Sequence, residues 1–224
     1  MLSTTGGLRF ESGTVASRRV SEPPARSAET AKQKLRRQAA ARVAAIPDGI
    51  RRDHEQRIRD ALWHWLEPGT SLPSGGAILA TLPLGAEPDL TPLLERLIER
   101  GRRVAVAVID PGGDRRLRFV EVDEAAALRR TQPGPRGTRE PIACRPIDAG
   151  QIAVMLVPGL AFTAKGCRLG RGGGFFDMAL AAEGRRGTAV GVAFECQIVD
   201  SIPLEPHDAF VDWLCTERGM RRTA

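Results

Sequence analysis

One segment of the C-terminal half has the composition of a phosphate-binding loop. Residues 157–177 read VPGLAFTAKGCRLGRGGGFFD. They combine three cationic side chains, Lys165, Arg168 and Arg171, with three consecutive glycines, Gly172, Gly173 and Gly174. Glycines let backbone N–H groups approach phosphate oxygens, and arginines add full positive charges. An apolar run precedes the segment and a helix-like run, FFDMALAA, follows it. A strand, a loop and a helix in this order would hold phosphate at the helix N-terminus.

Two common phosphate-binding motifs do not fit this segment. No Gly-Lys-Ser/Thr follows the glycines, which excludes a Walker A loop, and Phe175 stands at the third glycine position of the Rossmann fingerprint. Glycines before a helix can also form a simple tight connector. Arg168 and Arg171 favour a ligand site, because a plain turn has no use for them.

An acidic residue, Asp177, falls in the first turn of the predicted helix. Such an acid can serve the helix dipole alone. Beside phosphates it would repel them unless a divalent cation lay between, and Mg²⁺ is commonly held by one or two carboxylates plus phosphate oxygens. Asp208, in a proline-stiffened loop near the C-terminus, is the candidate for a second carboxylate.

The elements that must position these residues alternate as in an α/β protein. Strands are predicted at 77–84, 102–110, 117–122, 152–157, 188–194 and 209–216, and 131–150 as a loop. Helices are predicted from Ala31 to about 46, from an Asp48 N-cap to about 66, over 90–101 with Asp89 or Thr91 as the cap, and over 175–183. We therefore predict a three-layer α/β sandwich with a mostly parallel central sheet and N-terminal helices packed on it. It would form one domain over 29–224, after a flexible tail at 1–28 that lacks apolar periodicity.

Two acids, Glu87 and Asp89, follow the first predicted strand. Ligands in open α/β sheets bind at the C-terminal ends of the strands. Asp89 has a sufficient structural role as a helix cap, whereas Glu87 has none. Glu87 is therefore the better functional candidate.

The net charge of +6 arises mainly in one segment, since residues 31–60 carry nine Lys or Arg and four Asp or Glu. Composition alone favours a solvated helix face there. A clamp for a polyanionic small molecule and a nucleic-acid surface are the alternatives. Only 4% of the residues are aromatic and none is Tyr, which argues against a single-strand binder that stacks bases on aromatic rings.

The cysteine, histidine and apolar patterns set the expected compartment. The four cysteines form no CxxC pair and the three histidines have no metal-ligand spacing, which argues against zinc and disulfides and fits a reducing compartment. No apolar run approaches the ~20 residues of a membrane helix, and the N-terminal residues lack the apolar region of a signal peptide. We therefore expect a cytoplasmic protein without a membrane partner.

At its glycine segment the sequence resembles the 5-formyltetrahydrofolate cyclo-ligase family, also called 5,10-methenyltetrahydrofolate synthetase. VPGLAF followed by RLGRGGGFFD is similar to the family signature, and GTREP resembles its Gly-x-x-Glu-Pro loop. AKQKLRRQ resembles its N-terminal helix, LPLGAEPDLTPLL a segment with a substrate-contacting glutamate, and GVAFECQIVDSIPLEPHDAFVDWLCTE its C-terminal block. The resemblance covers nearly all of the chain after the tail, and several ordered motifs are more specific than any one.

The resemblance implies a role for each candidate residue. Lys32 and Arg36 would contact ATP phosphates, and Asp177 and Asp208 would bind Mg²⁺. The ATP cradle would consist of Arg168, Gly170, Arg171, Gly172, Gly173, Gly174, Phe175 and Phe176. Glu87 would contact the folate, and residues 171–175 would touch the substrate as well as ATP. Glu87 and Arg171 are the predicted catalytic residues.

The implied reaction is ATP-driven closure of 5-formyltetrahydrofolate to 5,10-methenyltetrahydrofolate, with ADP and phosphate released after an iminium phosphate intermediate. We expect a monomer that acts on this small molecule and binds neither nucleic acid nor membrane. The chain departs from the family pattern at Phe175 and Phe176, where Tyr-Tyr is usual, at Thr163, where an acid is common, and at Met178, where Arg is common. A diverged paralogue that binds a nucleotide or another pterin without this activity, and a nucleic-acid-binding module, are the alternative hypotheses.

Overall fold

The computed structural model describes residues 25–67, 75–112, 116–182, 187–205 and 208–223, with only the backbone described for 25–29. The helices are α1 (Ala25–Ala44), α2 (Asp48–Trp65), α3 (Thr91–Glu99) and α4 (Phe175–Ala181). The strands are β1 (Ala77–Ala80), β2 (Val104–Ile109), β3 (Leu117–Val122), β4 (Thr131–Pro133), β5 (Arg139–Pro141), β6 (Arg145–Pro146), β7 (Ile152–Pro158), β8 (Ala161–Phe162), β9 (Arg168–Leu169), β10 (Thr188–Val192), β11 (Trp213–Thr216) and β12 (Gly219–Arg222).

The main sheet has the strand order β12-β11-β10-β7-β1-β2-β3-β6. Its five central strands, from β11 to β2, are parallel, and antiparallel strands close both edges. Two small antiparallel pairs, β4-β5 and β8-β9, lie outside it. The C-terminal ends of β1 and β7, which are neighbours, therefore lie at the same edge of the sheet and deliver their following loops to one place.

Side chains on both faces of this sheet are buried. In β1, Ile78 and Ala80 face a core shared with Ile58 and Leu62 of α2 and with residues of α3. The alternate residues of β1 face a second core that includes Phe176 and Leu180 of α4. Helices thus cover both faces, which confirms the predicted three-layer α/β arrangement with a mostly parallel sheet.

One face of helix α1 carries a stripe of residues that changes from cationic to apolar along the helix. Lys32 and Arg36 are followed at helical spacing by Ala39 and Val43, which are both buried. Ala39 packs against residues of β8 and β9, and Val43 reaches the core under α2. The apolar half of the stripe anchors the helix, so that its cationic half lies over the loop after β9.

The helix starts differ from the predicted ones. Helix α1 begins at Ala25, so residues 25–28 belong to the helix and not to the predicted tail; residues 1–24 lie outside the described residues. Residues 25–28 read ARSA, and alanine and arginine both have high helix propensity. The N-cap of α2 is Pro47, whose ψ of 143° is extended, and Asp48 lies inside the first turn, where it favours the helix dipole.

Several strand boundaries also differ. β1 ends at Ala80 instead of 84 because the Leu84 N–H bonds to the Glu87 carboxylate and not to a neighbouring strand. The predicted loop 131–150 contains three short strands. The last predicted strand shrinks to β11, and the polar strand β12 was not predicted, because its sequence, GMRR, lacks apolar alternation.

In the part of the chain that the structure describes, no helix is both long enough and apolar enough to cross a membrane.

The buried face of α2 gives a test of the packing. Ile58 is 0% exposed and Ile50, on the same helix, is 50% exposed. We expect Ile58→Ala to lower the free energy of unfolding by about 2–5 kcal/mol, because it removes buried methyl groups and leaves a cavity. Ile50→Ala, the matched control, should lower it by less than ~1 kcal/mol. Equilibrium urea unfolding measures both, and equal losses would contradict the predicted burial.

Candidate active site

The loop between β9 and α4 has a backbone that only glycine accommodates easily. We call residues 170–174 the glycine loop. Gly172 and Gly174 have φ values of 95° and 71°, in the left-handed region. A Cβ on Gly173 would lie 2.6 Å from the Phe175 ring, and one on Gly170 would lie 2.8 Å from the Arg168 guanidinium. At each of these four positions, the backbone conformation or a neighbouring side chain therefore favours glycine over a residue with a Cβ.

Lys32, on α1, reaches the loop before β11 and is only 3% exposed. Its Nζ donates to Glu205 Oε2 at 2.5 Å and to Asp208 Oδ2 at 2.7 Å. Burial alone would lower the pKa of Lys32, but hydrogen bonds and charges from Asp208 and Glu205 raise it above its ordinary value. The lysine is thus held as a cation between two carboxylates.

Arg36 and Arg168 approach the glycine loop from two sides. Arg36 Nε donates to the Gly170 carbonyl at 3.1 Å. Arg168 is buried and donates to Asp177 Oδ1 at 2.7 Å and to the Pro158 carbonyl at 3.2 Å. Arg168 Nε is also buried and has no hydrogen-bond partner among the described residues. A buried donor without an acceptor is costly, and it marks a place where a ligand oxygen would be stabilised.

Arg171 connects the glycine loop to the residues after β1. Its Nε donates to Glu87 Oε1 at 3.0 Å, and a terminal nitrogen donates to the Leu84 carbonyl. The other carboxylate oxygen of Glu87 accepts the Leu84 N–H at 3.1 Å. These bonds fix the Glu87 carboxylate at the C-terminal end of β1, as the sequence predicted for a site residue.

Glu87 is a buried acid, with its side chain 11% exposed. Burial raises the pKa of Glu87 above its ordinary value of 4.5, although the Arg171 charge and the bonds from Leu84 and Arg171 oppose the rise. The carboxyl group therefore keeps a proton to higher pH than an exposed glutamate.

Two cavities meet at the glycine loop. The Glu87 cavity, of about 350 Å³, is bordered by Glu87, Arg171, Phe175 and apolar residues of β2 and β3. The Lys32 cavity, of about 400 Å³, is bordered by Lys32, Arg36, Asp177, Glu205 and Asp208. Arg168, Gly170 and Gly174 border both. The loop is therefore a wall common to two compartments, of which the Glu87 cavity has the more apolar sides.

The carboxylates of the Lys32 cavity suit a hard cation only if a bound ligand supplies further oxygen atoms. Asp177, Asp208 and Glu205 border it, and each carboxylate is paired with Arg168 or Lys32. Throughout the described ranges, no three His, Cys, Asp or Glu side chains come together as a complete metal site. Carboxylate oxygens that share an ion with phosphate oxygens and water are the usual surroundings of Mg²⁺.

All predicted site residues border one of the two cavities. Phe175 and Phe176 both border the Glu87 cavity, and Phe176 also packs into the core. His207, which the sequence placed beside Asp208, lies outside the described residues. Sequence reasoning missed Glu205, although an acid three residues before Asp208 in a proline-stiffened loop was a usable signal.

The other departures from the family pattern have local explanations. Thr163 is buried, and its hydroxyl accepts the Cys167 N–H at 3.2 Å, which closes the β8-β9 turn without an acid. Met178 is 46% exposed and borders the Lys32 cavity. Met178 therefore gives that cavity an apolar spot where an arginine would add charge.

The basic residues of 31–60 have two kinds of environment. Lys32 and Arg36 border the Lys32 cavity. Arg51 and Arg57 pair with acids on their own helix, and Arg59 donates to the Asp89 carbonyl. Part of the charge surplus therefore belongs to the candidate site, and part lies on the solvated face of α2.

Comparison with known proteins identifies the same relatives as the sequence motifs. The model of the 5-formyltetrahydrofolate cyclo-ligase family matches residues 28–217. A protein of Mycolicibacterium smegmatis with the name 5-formyltetrahydrofolate cyclo-ligase is 32% identical over 186 residues, which cover 79% of this chain and 89% of that one.

Solved structures agree with this result. The NMR structure of a 5,10-methenyltetrahydrofolate synthetase from Aquifex aeolicus superposes with a TM-score of 0.71 and 26% identity, covering 86% of this chain and 92% of that one. A synthetase of the same name from Mycoplasma pneumoniae has a TM-score of 0.66 at 20% identity, covering 83% and 98%, and shares the fold. The resemblance inferred from the motifs is confirmed.

The burial of Glu87 predicts an unusual pH dependence of stability. Because the folded-state pKa of Glu87 is raised, the folded protein binds this proton more tightly than the unfolded chain does. Ionised Glu87 therefore destabilises the fold as the pH rises above 4.5. We expect the free energy of unfolding of Glu87→Gln, minus that of the wild type, to increase from pH 4 to pH 7 in urea titrations.

Glu121 provides a control with the opposite sign. The hydrogen bond from Arg103 holds the pKa of Glu121 below 4.5, so its ionised form stabilises the fold above that pH and the stabilisation is lost as the pH falls. The same difference for Glu121→Gln should therefore decrease from pH 4 to pH 7. Parallel curves for the two variants would contradict the assigned environments.

Proposed function

The chain belongs to the 5-formyltetrahydrofolate cyclo-ligase family, and we propose that it converts 5-formyltetrahydrofolate to 5,10-methenyltetrahydrofolate, with ATP and Mg²⁺ as cofactors and ADP and phosphate as products. The observation that carries the proposal is the common wall of the two cavities. Arg168, Gly170 and Gly174 border both, so a phosphate held by the glycine loop from the charged side would be adjacent to a ligand on the apolar side. Phosphoryl transfer needs this adjacency more than it needs a covalent nucleophile.

The Lys32 cavity has the features that a nucleotide triphosphate requires. Lys32, Arg36 and Arg168 border it, and the backbone of the glycine loop faces the same space. The buried Arg168 Nε supports a phosphate oxygen there, because such an oxygen would supply the acceptor that the described residues do not. ATP phosphates on this side would be neutralised by the cations of α1 and β9.

Asp177 and Asp208 are the proposed Mg²⁺ ligands. In the protein alone each is neutralised by a cation, Asp177 by Arg168 and Asp208 by Lys32. Binding a phosphate chain together with a divalent ion would exchange these pairs for cation–phosphate and ion–carboxylate contacts, so that no buried charge is left unpaired. When bound, Mg²⁺ supplies positive charge that screens the phosphates from the two carboxylates.

The Glu87 cavity suits a folate. Its walls are largely apolar, with Ile109, Leu117 and Phe175 among them, as flat heterocycles require. Glu87 is fixed by Arg171 and Leu84, and its carboxyl group is placed to hydrogen-bond the ring nitrogens of a pterin. Arg171 belongs to the loop that would bind phosphate, and its side chain contacts Glu87.

The chemistry follows from this placement. The formyl oxygen attacks the γ-phosphorus, an oxygen–phosphorus bond forms, and ADP leaves with the electrons of the broken phosphoanhydride bond. N10 then attacks the activated carbon of the iminium phosphate, phosphate leaves with the former formyl oxygen, and N10 gives up its proton to water. Arg168 and Arg171 stabilise the charge that develops on the transferred phosphoryl group, and the cavity walls hold the two reactants in contact.

The proposal is tested by incubating the purified protein with 5-formyltetrahydrofolate, ATP and Mg²⁺. We expect methenyl product, followed by its absorbance, and one ADP for each product molecule. ATP binding in calorimetry without turnover would support the diverged paralogue instead. Nucleic-acid affinity that falls steeply with salt, again without turnover, would support the nucleic-acid-binding module.

The two aspartates make a separate prediction. Asp177→Asn and Asp208→Asn should each lower kcat by about 100-fold or more and shift the Mg²⁺ dependence to higher concentration, because one hard oxygen ligand is weakened. Asp53→Asn, on the exposed face of α2, is the control and should change neither quantity. Thermal unfolding separates lost metal binding from lost folding, and wild-type Mg²⁺ dependence in both variants would refute the metal assignment.

A further inference from the structure

Gln197 is a buried glutamine in the loop after β10, and it borders neither the Glu87 cavity nor the Lys32 cavity. Its amide nitrogen Nε2 donates to the carbonyls of Gly159 and Leu160, each at 3.0 Å. Its amide oxygen Oε1 accepts the Phe194 N–H at 2.8 Å. Both polar atoms of the side chain are therefore used to join the loop after β10 to the loop after β7.

The two loops meet because their strands are neighbours in the sheet. β7 and β10 pair in parallel, with Pro158 beside Val192 at their C-terminal ends. Pro158 and Gly159 border the Glu87 cavity together with the glycine loop, so this junction lies at the wall of the site. Buried carbonyls that follow a strand have lost their partners in the sheet, and each needs a donor. Gln197 supplies that donor twice.

The segment that Gln197 holds is the one against which Arg168 lies. Arg168 donates to the Pro158 carbonyl at 3.2 Å, and a Cβ on Gly159 would lie 3.3 Å from Arg168 Cγ. The Leu160 N–H donates at 2.8 Å to the carbonyl of the residue that follows Arg168 in β9. A shift of this segment would therefore move both the carbonyl that Arg168 binds and the strand that carries Arg168.

The direction of the Arg168 side chain is set by its neighbours. Arg168 is 6% exposed and borders both cavities, and a closely packed guanidinium has little room to correct its own position. Its described partners are Asp177 on one side and Pro158 on the other. If Mg²⁺ takes Asp177, as proposed above, the Pro158 carbonyl is the partner of these two that Arg168 keeps. The loop after β7 then determines where the guanidinium lies.

We propose that Gln197 is a positioning residue of the active site, which aligns Arg168 with the transferred phosphoryl group by holding the loop after β7. This inference rests on the proposed function. Misplacement of a reacting or stabilising group by about 1 Å can lower a rate about 100-fold. The charge that Arg168 would stabilise develops in the transition state. Loss of the alignment should therefore lower kcat more than it raises KM.

Gln197→Met is the variant that tests the alignment. Methionine is similar in length and apolar, so it fills the space but donates to neither carbonyl. We expect kcat to fall about 10- to 100-fold, while KM for ATP and for 5-formyltetrahydrofolate stays within about threefold. If this variant does not fold, Gln197→Asn replaces it, because its amide is one methylene shorter and cannot reach both carbonyls.

A double-mutant cycle decides whether Gln197 acts through Arg168. Arg168→Lys keeps a positive charge beside Asp177 but loses the planar guanidinium that the Pro158 carbonyl orients. In this background Gln197→Met should lower kcat by less than about threefold further, since the group that it aligns is already gone. Losses in kcat that multiply in the double variant would overturn the proposal, because a general loss of structure has no reason to depend on Arg168.

Gln56→Met is the matched control. Gln56 is exposed on α2, and its amide bonds to Asp60 and Arg59 of the same helix. It should leave kcat and both KM values unchanged. A Gln197→Met enzyme with wild-type kcat, or one whose KM values rise as much as kcat falls, contradicts the positioning role and leaves the proposed function in place.

A wild type without turnover refutes the proposed function. Crystal structures of the wild type and of Gln197→Met then decide the positioning role. The variant should have lost the contact between Arg168 and the Pro158 carbonyl. Retention of that contact at its wild-type distance would overturn the inference.

Discussion

A charge that leaves water must find a partner, and this constraint organises the site. Lys32 pairs with Asp208 across 176 positions of sequence, and Arg171 pairs with Glu87 across 84. The side chains of Lys32 and Asp208 are both largely buried, and removing one member of such a pair typically costs about 3–5 kcal/mol because the other charge is left uncompensated. Arg171 is 44% exposed, so its pair with Glu87 is screened by water and contributes less. Segments that are far apart in the chain are therefore held at the glycine loop by electrostatics, and they meet there in a defined geometry.

The apolar framework makes these pairings possible. The four buried residues of β1 place the Leu84–Glu87 turn at the edge of the sheet, next to the end of β7. Ala39 and Val43 anchor α1 so that Lys32, about two and three turns earlier, overhangs the loop before β11. Apolar packing fixes the positions and directions of the helices and strands. The ion pairs then determine which charged side chains contact each other. The apolar packing and the ion pairs favour the same arrangement, as expected for a chain whose local and global preferences are consistent.

The sequence predicted the parts of this arrangement that local composition encodes. Long apolar runs such as β7 were located almost to the residue, and the glycines marked backbone that tolerates no side chain. The sequence shows which residues are charged but not which carboxylate each cation meets, because that depends on the packed fold; the pairing of Glu205 with Lys32 is an example. The left-handed backbone of Arg136, with φ 58°, also lacked a signal, since the residue type does not indicate it.

Phe175 and Phe176, which follow the glycines, have different surroundings. These surroundings determine what the absence of the tyrosine hydroxyl changes at each position. Phe176 is 9% exposed and packs with Leu180, so a phenol there would need a buried hydrogen-bond partner that a phenylalanine does not. Both rings also border the Glu87 cavity, and the Arg136 guanidinium lies 5.3 Å from the centre of the Phe175 ring. At Phe176 the missing hydroxyl avoids a buried polar group that would need a partner. At Phe175 it removes a polar group from the cavity wall, at a point where Arg136 places a cation over the same ring.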